Sequence, residues 1–322
     1  MKNIKRMLCF ALVLGLCLTL VYGEKETKAK SSAKDENAQN SKSQFVNDKY
    51  PWLTSGILSY AKLGDLPENT LLSFNDLKIS DKDLEDEIAK SNIKKDEVEK
   101  NKFFILEQIA TQKILLQIAK NNDAKEKNEK SNKTDDELIK GYFEQLLSGI
   151  EVTDKEVSDF YEKNKDMCGG ASLSQIKADL KQYVLGQKKQ EKVMEHIHTI
   201  GQKNSIIVSS SWVEKQSSLA KDNPVDKARS SGKPSLVDFG STGCRPCDMM
   251  APILETLKKK YEGKANVLFV HVGEHRMLAG RYGIQSIPVQ IFFDKDGKEI
   301  FRHTGFFPQV EVEKKMKELG VE

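Results

Sequence analysis

Hydrophobic and polar positions follow three regimes along this chain. The first is one apolar run, residues 7–21, behind a basic start of Lys2, Lys5 and Arg6 and ahead of Val21-Tyr22-Gly23. This order is that of a secretory signal, and the run is shorter than the roughly 20 apolar residues that span a bilayer. Residues 1–23 are therefore expected to act as a cleaved signal peptide. An uncleaved N-terminal anchor is the alternative, and lipid attachment at Cys17 is opposed by the bulky Leu16 beside it. Residues 24–48 are rich in lysine, serine and asparagine. They hold too few apolar side chains to offset the entropy of ordering and read as a disordered linker, with order beginning near Tyr50-Pro51-Trp52.

The second regime, residues 49–214, is dominated by helical spacing. A small hairpin is expected where Leu71 to Phe74 and Leu77 to Ile79 flank Asn75-Asp76. Ser80 with Asp83, Thr134 with Glu137 and Thr153 with Glu156 have the spacing of helix-starting capping boxes. The strongest helix is expected over residues 96–120. There Phe103, Leu106, Ile109, Ala110, Ile114 and Ile118 form an apolar stripe that Leu115 and Leu116 widen, which predicts burial on more than one side. Residues 121–133 read as a charged surface loop, residues 174–202 as a long helix, and Ile206 to Val208 as a returning strand. The expectation is an all-α domain carrying one hairpin.

The third regime, residues 215–322, opens with a polar junction closed by Pro234, and its period then changes. Residues 235–239 and 266–272 are continuous apolar runs, as in parallel strands covered on both faces, and residues 248–261 between them are helical. This is a β-α-β unit. A helix near residues 274–281, two strands joined at Asp296-Gly297 and a final amphipathic helix over residues 309–318 complete an α/β domain. The fold class expected for the whole is α+β multidomain.

Charge excludes little and composition somewhat more. The 51 basic residues nearly balance the 48 acidic ones, leaving a net +3 with no basic block, so no nucleic-acid footprint is present. Five cysteines are too few for a disulfide-stapled scaffold. Cys9 and Cys17 belong to the first apolar run and Cys168 stands alone beside Gly169-Gly170, which leaves Cys244 and Cys247 as the close pair. Zinc would require two further ligands, and Cys168, His271, His275 and His303 form no second close pair; no metal is expected. A redox role fits better. Cys244 lies where the chain enters a helix, whose N-terminal amides and dipole stabilise a thiolate, and Arg245 adds a cation. Two intervening residues let Cys247 resolve a mixed disulfide, and Pro246 is tolerated in the first helical turn. Asp238, an acid within an apolar strand, has the raised pKa that suits proton exchange with the deeper thiol.

Strand, Cys-x-x-Cys, helix and strand resemble the thioredoxin family over about residues 223–322. The resemblance rests on Val237-Asp238-Phe239, Cys244-Arg245-Pro246-Cys247, Pro252, residues 282–288, the Asp296-Gly297 turn and Gly305. It implies a nucleophilic Cys244, a resolving Cys247, Asp238 as the buried acid and Pro288 as a cis-proline. It further implies that Ile287 offers backbone groups to an extended substrate and that Gly305 leaves room for it. Arg245 and Pro246 complete the expected substrate-facing set. Gly240 and Gly243 stand where thioredoxins commonly carry tryptophans, and Phe269 where many carry a lysine near the buried acid, so a less compensated Asp238 is expected.

Residues 70–210 resemble more loosely the helical part of SurA-type chaperones, through the hairpin and first helix, the helix at Ile105 to Ile118, the segment Val152 to Tyr161 and the strand Ser205 to Val208. No segment is left for a prolyl isomerase domain. Together the resemblances imply an exported thiol-disulfide oxidoreductase of the periplasm or cell envelope that reduces or isomerises disulfides. The redox-active disulfide Cys244–Cys247 would be its only cofactor. Its partners would be cysteine-containing or unfolded envelope proteins and a membrane electron donor, with the oligomeric state left open. A polypeptide-binding chaperone with a docking thioredoxin domain, and a reductant for cytochrome c maturation, remain open beside it.

Overall fold

The local signals for helix starts become capping interactions. In the computed structural model, which describes residues 44–91, 93, 95–127, 132–168 and 170–322, the side chains of Ser80, Thr134 and Thr153 accept from the backbone N–H of Asp83, Glu137 and Glu156. Each acid reaches back to the N–H of its cap. These reciprocal bonds satisfy two otherwise orphaned donors at each helix start. The expected signal peptide, Cys9, Cys17 and residues 24–43 of the linker lie outside the described residues. Within them, no helix is long and apolar enough to cross a membrane.

The N-terminal part is helix-rich but not all-α, which corrects the expectation for residues 49–214. Short strands β1 (Lys62–Gly64), β2 (Thr70–Phe74) and β3 (Leu77–Ser80) precede helices α2 (Asp81–Lys90), α3 (Lys95–Lys127), α4 (Asp135–Leu146), α5 (Asp154–Lys163) and α6 (Leu173–Lys203), and strand β4 (Ile206–Ser209) follows. The sheet order is β1-β4-β2-β3, with β4 parallel to β1 and antiparallel to β2. The hairpin β2-β3 and the returning β4 were visible as apolar runs. The three-residue β1 is too short to show a period. The ordered chain also starts earlier than Tyr50: Val46, in a one-turn helix α1 (Val46–Lys49), is fully buried in the first core. α3 continues through residues 121–127, where a loop was expected; Asp123 in this stretch is buried and pairs with Lys133. Helix α7 (Ser210–Ala220) places Val213 and Ala220 in the first core, so the change of core comes after Ala220 rather than at residue 215.

The C-terminal part holds α8 (Pro224–Arg229), β5 (Ser235–Gly240), α9 (Arg245–Lys260), β6 (Asn266–His271), α10 (Arg276–Arg281), β7 (Val289–Phe293), β8 (Glu299–Thr304) and α11 (Gln309–Glu318). Its sheet runs β6-β5-β7-β8, with β5 parallel to β6 and antiparallel to β7. All six residues of β5 are buried. Val237 and Phe239 face one core with α10, while Leu236 faces the other with α9 and α11. The alternation is that of a central strand covered on both sides.

The two parts meet at the C-terminal end of α10. The buried Arg281 guanidinium donates to the carbonyls of Trp52 and Ala220, at 2.8 and 2.9 Å, and to the Asp226 carboxylate at 2.5 Å. The Tyr282 hydroxyl also donates to Asp226, and the Ser55 hydroxyl donates to the Arg281 carbonyl. Gly280 lets the Phe104 ring of α3 approach, since a Cβ there would lie 2.6 Å from the ring. Further along the loop, the Gln190 amide of α6 donates to Gln285. In the first core the fully buried Glu107 accepts from Thr54 and from the Leu58 N–H, and burial raises its carboxyl to about 7.

Two stability predictions follow from these buried charges. Arg281→Ala leaves Asp226 with much of its compensation removed and should lower unfolding stability in urea by about 3–5 kcal/mol. Glu107 ionises near 4.5 when unfolded and near 7 when folded. Its stabilising contribution is thus complete below about pH 4.5 and is lost as pH rises to about 7. Glu107→Gln should remove that slope and make the protein more stable than wild type above pH 7, by roughly 3 kcal/mol, read from urea midpoints between pH 5 and 8.

Candidate active site

β5 ends at Gly240, and the chain turns through residues 241–243 before Cys244 caps α9. Gly243 makes this turn with φ 76°, a left-handed conformation that glycine adopts without cost. Cys244 and Cys247 form a disulfide with their Cα atoms 5.2 Å apart. Cys244 is partly exposed at the helix start, whereas Cys247, one turn in, is buried. This asymmetry gives the two sulfurs different access. Arg245 and Pro246 occupy the first positions of α9, with Arg245 exposed. The Thr242 N–H donates to His271 Nε2 at 3.3 Å, and this bond ties the turn to the end of β6. A Cβ on Gly240 would lie 2.9 Å from the Phe269 ring and 3.4 Å from Cys247 Sγ. The glycine therefore lets the ring and the helix close over the end of β5.

The peptide bond Ile287–Pro288 is cis. Its Ile287 carbonyl oxygen lies 4.0 Å from Cys244 Sγ. A disulfide sulfur carries no proton, so this is a contact between groups and not a hydrogen bond. The Gly305 N–H donates to the Pro288 carbonyl at 2.8 Å, with Gly305 at φ 100°. Cys244, Cys247, Ile287, Pro288 and Gly305 thus converge, though they come from three separate stretches of chain.

Asp238 is fully buried. It shares a sheet face with Gly240 by strand alternation, and Cys247 rests on that face. Its register partners are Phe269 on β6 and Gln290 on β7. Phe269 is half exposed and brings no charge, while Gln290, fully buried, donates from Nε2 to Asp238 Oδ1 at 2.6 Å. Burial raises the Asp238 carboxyl to about 6, and the Gln290 bond pulls in the opposite direction. The structure therefore supplies an amide at the acid where the sequence reading looked only for the absence of a lysine.

Gln290 and His271 were both missed. A signal for Gln290 was present: Val289-Gln290-Ile291 repeats the polar interruption of Val237-Asp238-Phe239, and strand pairing sets the two opposite each other. His271 was weighed only as a metal ligand. Cys168 is a free thiol in the 3-10 turn Lys165–Cys168 and contacts the Asn164 carbonyl at 3.4 Å. His196 and His198 are bonded to Tyr142 and Tyr60.

Comparison with known proteins gives this geometry a context. A thioredoxin-like domain model matches residues 222–320. Thioredoxin of Staphylococcus aureus is 47% identical over 74 residues, which cover 23% of this chain and 70% of that protein. Among solved structures, a thioredoxin of Nicotiana alata is 30% identical and aligns over 30% of this chain and 82% of its own, with a TM-score of 0.28. A thioredoxin of Fasciola hepatica is 27% identical over 29% and 86%, with a TM-score of 0.26. With 47% identity across most of a thioredoxin, through the domain that carries Cys244 and Cys247, the chain belongs to the thioredoxin family.

Proposed function

We propose that this protein is an exported thiol-disulfide oxidoreductase that reduces or isomerises disulfides in envelope proteins, with its N-terminal helical part holding the client polypeptide. The observation that carries the redox reading is the Cys244–Cys247 disulfide, partly exposed at one sulfur, set at a helix N-terminus beside cis Ile287–Pro288 and above the buried Asp238. The export reading rests on the basic-apolar pattern of residues 1–23. The client-holding reading rests on the loose SurA-type resemblance and on the contact of Gln190 with Gln285, which sets α6 beside the loop leading to Ile287.

The chemistry starts from the reduced dithiol. The Cys244 thiolate attacks one sulfur of a substrate disulfide, forms a mixed disulfide and expels the other sulfur as a thiolate. Asp238, as carboxylate, takes the proton of the Cys247 thiol. The Cys247 thiolate then attacks Cys244 Sγ, closes the Cys244–Cys247 disulfide and releases the second substrate thiolate. Two electrons have passed to the substrate, and a membrane donor must restore the dithiol. Ile287 offers its backbone to an extended substrate in the manner of an added strand, and Pro246, Arg245 and Gly305 border that path.

Reduction of insulin disulfides by dithiothreitol should be accelerated by the wild type and not by Cys244→Ser, while Cys247→Ser should accumulate the mixed disulfide. Activity that survives Cys244→Ser would overturn this mechanism. The resolving step should rise with pH through about 6 as Asp238 ionises. Asp238→Asn should erase that limb and slow resolution by roughly 100-fold, measured by single-turnover release of substrate thiol.

A further inference from the structure

Asp238 and Gln290 are an isolated polar pair in an apolar layer. They are in register on β5 and β7, both fully buried, and joined by one bond of 2.6 Å from Gln290 Nε2 to Asp238 Oδ1. The other two atoms of the pair, Asp238 Oδ2 and Gln290 Oε1, are buried without a hydrogen-bond partner among the described residues. Both are acceptors when Asp238 is a carboxylate. A buried acceptor left without a donor is costly, and two in one pair doubles that cost. A single proton on Asp238 Oδ2 changes the account: the acid becomes a donor, and a planar amide facing a planar carboxyl can then make two parallel bonds.

Among the described residues, the surroundings provide no competing partner. On β6 the register neighbour of Asp238 is Phe269, and His271, two pairs beyond, accepts from Thr242. On β8 the residue opposite Gln290 is His303, whose Nε2 bonds the Phe306 carbonyl. α9 contributes Cys247 to this face, while Arg245 and Asp248 of its first turn are exposed. The buried residues of α11 are Val312 and Met316. Among the described residues, Gln290 is the only polar group bonded to the acid.

We propose that Gln290 is a positioning residue for the dithiol, holding the Asp238 carboxyl beneath Cys247 and accepting, through Oε1, a hydrogen bond from the proton that Asp238 removes from the Cys247 thiol. This rests on the oxidoreductase reading above. The proton balance is complete within that reaction. Cys247 S–H loses its proton to Asp238, the Cys247 sulfur bonds Cys244 Sγ, the Cys244–substrate bond breaks and the substrate leaves as thiolate. The proton stays on the Asp238–Gln290 pair of the oxidised enzyme until it passes to solvent or to the departing thiolate. The amide thereby does the work of a fixed cation at one end of the carboxyl while tolerating its neutral form at the other.

The test compares the full chain with Gln290→Met and Gln290→Glu, each checked for folding by urea unfolding. Loss of the amide should move the pH limb of the resolving step upward by roughly one unit, and the isosteric Gln290→Glu, with two carboxyls sharing one proton, should move it further. In oxidised wild-type protein, the Gln290 side-chain amide resonances should titrate with the same midpoint as the Asp238 carboxyl carbon, a readout that needs no variant and no turnover. A limb unmoved in both variants, or amide resonances that ignore the Asp238 titration, overturns the proposal. A wild type without insulin reductase activity instead overturns the oxidoreductase reading, whatever the resonances do.

Discussion

The structure turns on one buried guanidinium. Arg281 sits at the end of α10 with its charge out of water, a state that is tolerable only when the charge is paired and accepted by hydrogen-bond partners. It takes them from both halves of the molecule: the Asp226 carboxylate from the C-terminal half, and the carbonyls of Trp52 and Ala220 from the N-terminal core and its last helix. The chain directly after Arg281 is the loop that ends in cis Ile287–Pro288, so the same residue that joins the two parts also anchors the segment facing Cys244. Tyr282 and Arg229 extend the network, which surrounds Asp226 with donors. The position of the loop facing Cys244 is therefore set from both parts of the molecule.

Legibility in the sequence tracked how local the cause was. Cys244 and Cys247, their helix, the strand before them and the Asp296-Gly297 turn are each written in neighbouring residues, and each was readable. The capping boxes at Ser80, Thr134 and Thr153 are equally local. What failed was long-range. β1 is three residues and exists because β4, far along the chain, lies beside it. α7 looked like a polar junction because only Val213, Gln216, Ser217 and Ala220 on one face are buried. Its helical period was short and its core partner, α3, lay outside any local window.

The same distinction applies to the site. Asp238 was readable because an acid in an apolar strand is an anomaly wherever it occurs. Its partner Gln290 was an equal anomaly, but only strand register says that the two anomalies are one. The missing tryptophans at Gly240 and Gly243 suggested an emptier face. The structure shows instead that Gly240 makes space for Phe269 to lie against the Cys247 end of the helix. A side chain absent from one strand is answered by a side chain borrowed from the next.

If the proposed client binding holds, the contact of Gln190 with Gln285 sets the terms on which client and dithiol meet. Gln190 lies on the same stripe of α6 as Gln187 and Met194, which are buried or packed on the first core, and the stripe reaches the surface at Tyr183. On the proposed reading, a polypeptide held at that exposed end would encounter Cys244 as part of the same complex and not as a diffusing partner. Its cysteines would be presented at an effective concentration on the order of millimolar, however dilute the client itself. Reaction rate would then depend on how long the helix keeps its cargo, and selection among disulfides would pass from the sulfur to the surface that holds the chain.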